Sequence, residues 1–362
     1  MKKILIFINS MKPAGGIERV VANLANSWSE KYEITLLVKD HGESFFTLND
    51  NIKIDRIDVP LNLNMNNRIQ RIYSLFRNLV STKKKLTKYS RKTNFDYIYV
   101  TSPFNALEIV LLGKEFQRKL IISEHGSRYA YNRFYKFLKK IIYPKSYKIS
   151  VPTTIDTKLY IEDGYDAIYI PHISTFEVGQ QNQLDTKVVI NIGRLTSDKQ
   201  QLVLLKIWNE IEKKNTLNGW KLKIVGKGEE ESKLMEYIST NNLESSVEII
   251  APQADVEKIY QQASLFAFTS KFEGFGMVLL EAMSFGIPCI SFDCPSGPRD
   301  IIEDGMNGKL IPSYDLKAYE HELYLLLNND INSIKDLGDS AFSTAVSWDN
   351  KKILEMWDNL FL

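Results

Sequence analysis

Short apolar runs alternate with longer amphipathic segments along most of the chain, and this alternation predicts two α/β domains. Seven candidate strands precede a polar break, and five more follow it. Short β-rich runs separated by helices are typical of parallel sheets covered on both faces. The predicted strands cover residues 3–8, 33–38, 53–57, 97–100, 119–123, 148–151 and 167–170, then residues 187–192, 221–225, 247–250, 265–269 and 288–292.

The polar break marks the predicted domain boundary. Residues 174–186 are polar and lack hydrophobic periodicity. We therefore predict a first domain over residues 1–173, a linker over residues 174–186 and a second domain over residues 187–345. An amphipathic pattern over residues 346–362 predicts a terminal helix that packs back toward the first domain.

Composition is that of a soluble protein that is long enough for two domains. The chain has 362 residues, of which 44% are hydrophobic and 25% are charged. No run approaches the roughly 18 apolar residues that a membrane span needs, and the apolar start is too short for a signal-peptide core. We therefore expect a cytoplasmic location. Cys289 and Cys294 lack the spacing of a zinc site, and we expect reduced core thiols.

The formal net charge of +2 conceals an uneven distribution. The first 171 residues contain 28 Lys and Arg against 16 Asp and Glu, whereas the remaining residues contain 18 against 28. A basic first half favours an anionic partner, either a membrane surface or an acidic substrate. Nucleic acid is not expected, because the sequence contains no nucleic-acid-binding motif.

Residues 68–92 contain nine basic residues and no acid. Apolar residues that include Phe76, Leu79 and Leu86 recur at three- and four-residue spacing and predict one apolar helix face. The pattern is typical of a helix on an anionic membrane, and equally of a core-facing helix with a solvated basic side. A basic and aromatic run over residues 128–148 favours the membrane. The predicted membrane or acceptor contacts are Arg68, Arg71, Arg77, Lys84, Lys85 and Lys88.

Two loops at predicted strand ends of the first domain carry candidate chemistry, because ligands of parallel sheets bind at the carboxyl ends of the strands. Gly15 and Gly16 precede a helix with Ile17 on its inner face, and bare backbone there can approach a phosphate or an acceptor sugar. A plain turn is an equally good interpretation. His125 follows the fifth strand and can hydrogen-bond a sugar, although a structural role is commoner. Glu124 would orient His125 or face solvent.

In the second domain, a glycine-rich turn at residues 273–276 leads into an apolar segment that contains one acid, Glu281. If a helix begins near Gly276, its first amides are unpaired and can bind an anion such as a diphosphate. Glu273 and Glu281 would accept hydrogen bonds from sugar or ribose hydroxyls. Arg194 and Lys199, which follow the first strand of this domain, can neutralise a leaving diphosphate.

These residues resemble the retaining nucleotide-sugar glycosyltransferases of family 4. Glu273, seven residues and Glu281, within FEGFGMVLLEAMSFGIPCI, carry the resemblance. GGIE after the first strand, SEHG around His125, Gly193-Arg194 with Lys199, and VGKG at residues 225–228 follow in the family's order. The resemblance implies the GT-B fold, in which two Rossmann-like, doubly wound parallel-sheet domains face each other across a cleft. The segments HGESFFTLND, LIISEH and FDCPSGPRDIIEDG look most like bacterial enzymes that extend lipid-linked surface glycans, including the N-acetylgalactosaminyltransferases of protein glycosylation.

The resemblance also implies roles for single residues. Glu281 would hold the nucleotide ribose and Glu273 the donor-sugar hydroxyls, while His125 would lie near that sugar. The implied catalytic groups are His125, Arg194, Lys199 and Glu273. The implied donor-binding residues are Gly15, Gly16, Gly193, Arg194, Lys199, Glu273, Gly274, Phe275, Gly276, Met277, Val278 and Glu281. No cofactor or metal is implied, because the two cations and the helix amides replace it. The family often has Gly after the lysine, whereas this chain has Gln200, and residues 251–253 leave the contacts to the base open.

We therefore predict retaining transfer of a hexose or N-acetylhexosamine from a UDP-sugar to a polyprenyl-diphosphate-linked oligosaccharide. The site would be the cytoplasmic face of the inner membrane, in the assembly of capsule, O-antigen or another surface glycan. GDP-mannose or another donor is the alternative within the class. A dinucleotide-dependent oxidoreductase is disfavoured, because neither first-strand loop contains G-x-G-x-x-G. A catalytically silent sugar-binding or scaffold protein is the alternative from another class.

Overall fold

The computed structural model describes residues 1–60, 68–176, 178–214, 216–253, 255–328 and 330–362, without the side chains of residues 68, 69, 71 and 72. The chain divides into two compact units. The first comprises residues 1–173 together with residues 351–362, and the second comprises residues 174–350. Each unit is built around its own parallel sheet.

The first unit has a seven-stranded parallel sheet. Its strands are β1 (Lys3–Ile8), β2 (Glu33–Val38), β3 (Lys53–Arg56), β4 (Tyr97–Val100), β5 (Leu120–Ser123), β6 (Lys148–Val151) and β7 (Ala167–Tyr169). They lie in the order β3-β2-β1-β4-β5-β6-β7. The helices are α1 (Gly16–Trp28), α2 (Arg68–Ser90), α3 (Pro103–Val110), α4 (Lys114–Gln117), α5 (Arg133–Ile142) and α6 (Thr154–Glu162), and a 3₁₀ turn spans Tyr143–Lys145.

The second unit has a six-stranded parallel sheet. Its strands are β8 (Val188–Ile192), β9 (Lys221–Val225), β10 (Val247–Ile250), β11 (Leu265–Phe268), β12 (Cys289–Asp293) and β13 (Gly308–Pro312). They lie in the order β10-β9-β8-β11-β12-β13. The helices are α7 (Gln201–Glu212), α8 (Glu231–Thr240), α9 (Glu257–Gln261), α10 (Met277–Met283), α11 (Pro298–Ile301), α12 (Leu316–Asn328) and α13 (Ile331–Ser347). The last helix, α14 (Asn350–Leu360), is grouped with the first unit from Lys351 onward.

The prediction of two parallel α/β domains is confirmed. The central strands are almost fully buried, as expected for sheets covered on both faces. All twelve predicted strands form, with ends shifted by one residue at most. The sequence interpretation missed β13, which pairs with β12 at the edge of the second sheet. Its sequence, GKLIP, begins with glycine and ends with proline, and so looks like a turn.

The polar segment 174–186 is grouped with the second unit. Leu184 is only 1% exposed and belongs to the core of that unit. The side chain of Asn182 donates hydrogen bonds to the carbonyl oxygens of Tyr260 and Ala263, at 2.8 and 3.0 Å. The segment looks polar because its side chains satisfy backbone groups of neighbouring elements.

Residues 351–362 are grouped with the first unit. The Trp357 ring on α14 contacts the rings of Trp28 and Tyr99, at centroid distances of 5.1 and 5.7 Å. Lys31 and Tyr32 both donate to the carboxylate of Asp358, at 2.6 and 2.7 Å. Aromatic packing and charged hydrogen bonds therefore attach the end of the chain to the first unit.

Helix α2 packs by a face that is rotated from the one its periodicity predicts. Phe76 is 66% exposed, whereas the polar residues Asn78 and Thr82 are buried together with Leu86. The reason is Lys39, which follows β2 and is only 1% exposed. Its Nζ donates to Asn78 Oδ1 and to Glu108 Oε1, at 2.6 Å each. A buried ammonium needs such acceptors, so the helix turns a polar side inward.

Helix α1 contains a second, smaller difference from prediction. Val20, Val21 and Leu24 are buried as expected, but Ile17 is 37% exposed. Because the helix begins at Gly16, Ile17 belongs to its first turn, ahead of the residues that pack on the sheet.

Two further expectations concern the membrane and the cysteines. Among the described residues, no helix combines the length and apolar character that crossing a membrane requires. Cys289 and Cys294 are buried free thiols. Burial raises the pKa of both, that of Cys294 to about 12, which keeps them protonated and unreactive.

Candidate active site

Most residues predicted to bind the donor lie in the second unit, on two loops at the centre of its sheet and on helix α10. The strand order of this sheet reverses between β8 and β11, which are neighbours. Such a reversal opens a crevice outside the carboxyl ends of the two strands. The loop that follows β8 contains Gly193, Arg194 and Lys199, and the loop that follows β11 leads to Glu273 and Gly276.

Backbone-to-backbone packing supports the first loop. The amide of Gly193 donates to the carbonyl of Val225, at 3.0 Å, and the amide of Leu195 donates to Lys227, at 3.1 Å. A Cβ at Gly226 would lie 1.9 Å from the Gly193 oxygen, and a Cβ at Gly228 would lie 2.2 Å from the Leu195 oxygen. Gly226 and Gly228 in the GKG turn after β9 must therefore be glycine, because a side chain at either position would displace the loop that presents Arg194.

Lys199 and Glu273 form an ion pair across the two loops. Lys199 Nζ lies 2.5 Å from Glu273 Oε1. The Glu273 side chain is 9% exposed and that of Lys199 is 23% exposed. The sequence assigned these groups to different parts of one ligand, and the structure brings them into contact. Arg194 differs from Lys199 and Glu273, because Arg194 is exposed to solvent.

Helix α10 begins where the sequence predicts. Gly276 precedes it with a φ of 91°, a left-handed conformation that favours glycine, and Met277 is its first residue. Gly274, Phe275 and Gly276 are buried, and the Phe275 ring packs on Trp348 at a centroid distance of 5.6 Å. Met277 and Val278 are partly buried. Because the helix has only seven residues, contacts with neighbouring elements must fix the shape of the turn that precedes it.

Glu281 is the acid that looked out of place in an apolar helix. It is 3% exposed, and protein donors reach both of its oxygens. Thr175 Oγ1 donates to Oε1 at 2.9 Å, and the Tyr260 hydroxyl donates to Oε2 at 2.7 Å. The two donors fix the orientation of the carboxylate. Sequence reasoning missed both residues, because neither belongs to a motif.

In the first unit, Gly15 and His125 follow β1 and β5. Gly15 precedes α1, and Gly16 is its first, exposed residue. His125 is partly buried, and its ring stacks on His172 with a centroid distance of 5.1 Å and an angle of 15°. Its Nε2 lies 3.4 Å from the Tyr99 hydroxyl. Sequence reasoning missed His172. The signal was available, because His172 closely follows β7 in the same way that His125 closely follows β5.

Burial lowers the pKa of His125 to about 4, although the charge of Glu124 opposes the shift. Burial also lowers the pKa of His172 well below its usual value, and the neighbouring His125 adds to the effect. Both imidazoles are therefore neutral at pH 7. A neutral His125 can donate a hydrogen bond from one ring nitrogen and accept one at the other.

We expect this histidine pair to make the protein acid-sensitive. Below about pH 6.5 the unfolded chain protonates both rings, whereas folded His125 stays neutral until about pH 4. The free energy of unfolding should therefore fall as pH decreases from 6.5 toward 4, by up to about 1.4 kcal/mol per pH unit for each ring. His172→Gln should reduce this slope in chemical denaturation experiments. An unchanged slope in that variant would contradict the assignment.

Glu124 does not face solvent, because its side chain is only 2% exposed. Its carboxylate pairs with the buried Lys139 of α5, whose Nζ lies 2.8 Å from Oε1. The hydroxyls of Tyr131 and Tyr143 also donate to this carboxylate, and Lys139 donates to the Tyr160 hydroxyl at 2.7 Å. Burial lowers the pKa of Lys139, and the pairing with Glu124 opposes that shift. This pair anchors the residue next to His125 to α5.

The basic residues predicted to contact a membrane lie on α2. Arg77, Lys84, Lys85 and Lys88 are exposed, and Lys85 Nζ also donates to the Asp58 carbonyl at 3.1 Å. The side chains of Arg68 and Arg71 lie outside the described residues.

Comparison with known families assigns a family model to each unit. A family model described as "Glycosyltransferase Family 4" matches residues 14–171, and one described as "Glycosyl transferases group 1" matches residues 174–343. The two matches cover nearly the whole chain and meet at the boundary between the two units. The chain is a family 4 glycosyltransferase.

Two relatives of this glycosyltransferase match along nearly their full length. It is 28% identical to an amylovoran biosynthesis glycosyltransferase of Erwinia amylovora, over 99% of each protein. It is 26% identical to a Campylobacter jejuni enzyme, over 99% of this chain and 97% of that protein. The latter is named as an α-1,4-N-acetyl-D-galactosaminyltransferase acting on a glycan linked to PP-undecaprenol.

A solved structure shares the fold of this glycosyltransferase. A structure of TarM from S. aureus, in complex with fondaparinux, α-GlcNAc-glycerol and UDP, matches with a TM-score of 0.83 and 17% identity. The match covers 100% of both chains. The fold is therefore GT-B, as predicted.

Proposed function

We propose that this glycosyltransferase transfers a hexose or N-acetylhexosamine from a UDP-sugar, with retention of configuration, to a polyprenyl-diphosphate-linked oligosaccharide. The product would be a bacterial surface polysaccharide or glycan. The observation that carries the proposal is the pair of buried acids at the switch point of the second sheet, one of which contacts Lys199. The UDP in the TarM complex and the lipid-linked glycan in the Campylobacter enzyme's name support this choice of donor and acceptor.

The proposed chemistry assigns the two acids to different ends of the donor. Glu281, held by Thr175 and Tyr260, would accept hydrogen bonds from the ribose hydroxyls. Glu273 would accept hydrogen bonds from hydroxyls of the sugar. When the donor binds, its diphosphate would compete with Glu273 for Lys199, which frees carboxylate lone pairs for the sugar.

In the transition state, the bond from the anomeric carbon to the diphosphate oxygen lengthens, and negative charge grows on the leaving phosphate. Arg194 and Lys199 would stabilise this charge, and each such donor can contribute about 3 kcal/mol. We identify no carboxylate as a covalent nucleophile, so we favour attack by the acceptor hydroxyl from the side of the leaving group, assisted by the phosphate. No metal is needed in this scheme, because the two cations supply the positive charge. The roles of His125, Gly15 and Gly16 stay predictions.

Thermal-shift measurements test the donor assignment. UDP, GDP and ADP, each with its common sugars, are added to the full chain in the presence of EDTA. We expect UDP-sugars to raise the melting temperature most, because a ligand that binds only the native state stabilises it in step with its affinity. If a GDP-sugar gives the largest rise in melting temperature, the donor is a GDP-sugar and not a UDP-sugar. Stabilisation by none of them would contradict the proposed function. UDP release from the stabilising donor would separate an enzyme from a silent sugar-binding protein.

The proposed acceptor requires contact with an anionic bilayer, and two helices of the first unit offer a suitable surface. On α2, Tyr73, Phe76 and Val80 form an exposed apolar row. On α5, Phe134, Phe137 and Ile141 form another, with 57%, 62% and 42% exposure. Exposed basic residues flank both rows, and residues 128–148 contain no acid. Helix α3 packs against both helices, so the rows are on neighbouring elements. Apolar rows flanked by cations are typical of helices that lie on anionic membranes.

Vesicle co-sedimentation tests this surface. We expect the chain to bind vesicles of phosphatidylglycerol and phosphatidylcholine, and to bind pure phosphatidylcholine weakly. Phe137→Ser should weaken binding by roughly tenfold or more, since burying one large apolar side chain contributes about 1.5–3 kcal/mol. Met235→Ser is the matched control, because Met235 is 58% exposed on α8 of the second unit. Equal binding by both variants would contradict the assignment.

A further inference from the structure

The loop that carries Glu273 needs support from outside itself. Residues 273–276 adopt no helix or strand, yet all four are buried. The Lys199 ion pair restrains only the Glu273 side chain. A further contact must fix the backbone of this loop, because the backbone sets the positions of the Glu273 carboxylate and of the amides before α10.

Ser296 makes that contact. Its side chain is fully buried, and its hydroxyl donates to the backbone carbonyl of Glu273 at 2.9 Å. A buried carbonyl outside secondary structure needs a donor, and here a side chain from a different part of the chain provides it. The bond joins the turn that follows β12 to the loop that follows β11.

Gly297 adds a second contact to the same loop. Its φ of 95° lies in the left-handed region, and a Cβ at this position would lie 2.6 Å from the Phe275 oxygen. The same Cβ would lie 3.1 Å from the Glu273 Cβ. Only glycine allows the backbone of the turn to press directly on the backbone of the loop.

The turn itself is closed by bonds between its ends. Arg299 donates to both oxygens of Asp293, with Nε at 2.8 Å and a terminal nitrogen at 2.5 Å. The Cys294 thiol lies 3.5 Å from the Ser296 carbonyl. A bidentate pair fixes geometry as well as contributing energy, so it joins the two ends of residues 293–299, which contain Ser296 and Gly297.

We propose that Ser296 is a positioning residue of the donor-sugar site, which acts through the backbone of Glu273. This inference rests on the proposed function, since it assigns the sugar to Glu273. Ser296 lies against the loop of Glu273, whereas Glu281 is held by Thr175 and Tyr260. Its loss should therefore affect recognition and transfer of the sugar and leave binding of the nucleotide unchanged.

The test compares Ser296→Ala with Ser291→Ala in the full chain. Ser291 is also fully buried, and its hydroxyl donates to the Phe292 carbonyl on the same strand, so it matches Ser296 in burial and bonding. We measure stabilisation by UDP alone, the additional stabilisation by the UDP-sugar that binds the wild type best, and UDP release from that sugar. Ser296→Thr, which keeps the hydroxyl, is the conservative variant.

We expect Ser296→Ala to keep the rise in melting temperature caused by UDP and to lose most of the additional rise caused by the sugar. Its rate of UDP release should fall by about tenfold or more, because small displacements of reacting groups slow catalysis. Ser291→Ala should match the wild type, and Ser296→Thr should recover part of the rate. The inference is overturned if Ser296→Ala releases UDP at a rate within twofold of that of Ser291→Ala. It is also overturned if the melting-temperature shifts caused by UDP and by the sugar are lost to the same extent. A wild type that no UDP-sugar stabilises would overturn the proposed function and this inference with it.

Discussion

Replacing Lys199 with alanine is expected to lower turnover of the donor by about 10²- to 10³-fold, the usual effect of removing one group that stabilises charge in a transition state. The same change leaves the Glu273 carboxylate, which is 9% exposed, without its ion-pair partner. We therefore also expect a loss of about 3 kcal/mol in the free energy of unfolding. Steady-state kinetics at saturating donor and chemical denaturation measure the two effects.

Two further variants separate catalysis from stability. Lys214→Ala removes a lysine that pairs with Glu320 at 2.7 Å on the exposed surface of the second unit. It should change neither property by much, since solvent screens exposed ion pairs. The double variant Lys199→Met with Glu273→Gln removes both charges, and should regain stability without regaining turnover. Wild-type turnover in Lys199→Ala would exclude Lys199 as a diphosphate ligand.

Glu281→Gln is expected to weaken UDP binding by roughly tenfold to a hundredfold, because hydrogen bonds to an ionised carboxylate contribute about 1.5–3 kcal/mol. The change keeps the size of the side chain and removes its charge. It also replaces one acceptor of Thr175 or Tyr260 with a competing donor, which disturbs the orientation of the group. Titration calorimetry with UDP measures the affinity.

Tyr260→Phe should show a smaller loss of UDP affinity than Glu281→Gln. It removes the hydroxyl that donates to Oε2, at 2.7 Å, and keeps the ring that stacks on Phe285 at a centroid distance of 5.5 Å. Glu236→Gln, on the exposed side of α8, is the control and should bind UDP as the wild type does. If Glu281→Gln binds UDP with wild-type affinity, Glu281 does not hold the ribose.

Sequence reasoning located the loops of the candidate site because each directly follows a predicted strand. Glu273, Arg194 and Lys199 lie in loops that follow strand ends, where motifs are short and local. Glu281 lies further on, in α10, and was found as the one acid of an apolar segment. His125 was found by the same criterion. These predictions needed no knowledge of which strands are neighbours.

The partners of these groups were not predictable in the same way. Thr175, Tyr260 and Ser296 lie 106, 21 and 23 residues from the carboxylate or carbonyl that each contacts. Lys39 turns the packed face of α2 toward Asn78, whereas the hydrophobic period of that helix placed Phe76 on that face. A buried charge outweighs an apolar stripe there, because leaving an ammonium unpaired costs more than exposing a phenylalanine.

The sequence by itself determined the fold class and the positions of twelve of the thirteen described strands, and it indicated the candidate site residues, since hydrophobic periodicity and short motifs are local properties of the chain. Only the tertiary structure decided what each of these side chains contacts. The strand order brings the loops after β8 and β11 together, which allows Lys199 to meet Glu273. Folding also buries Glu281 between Thr175 and Tyr260. Contacts of this kind depend on distances through space, which spacing along the chain does not encode.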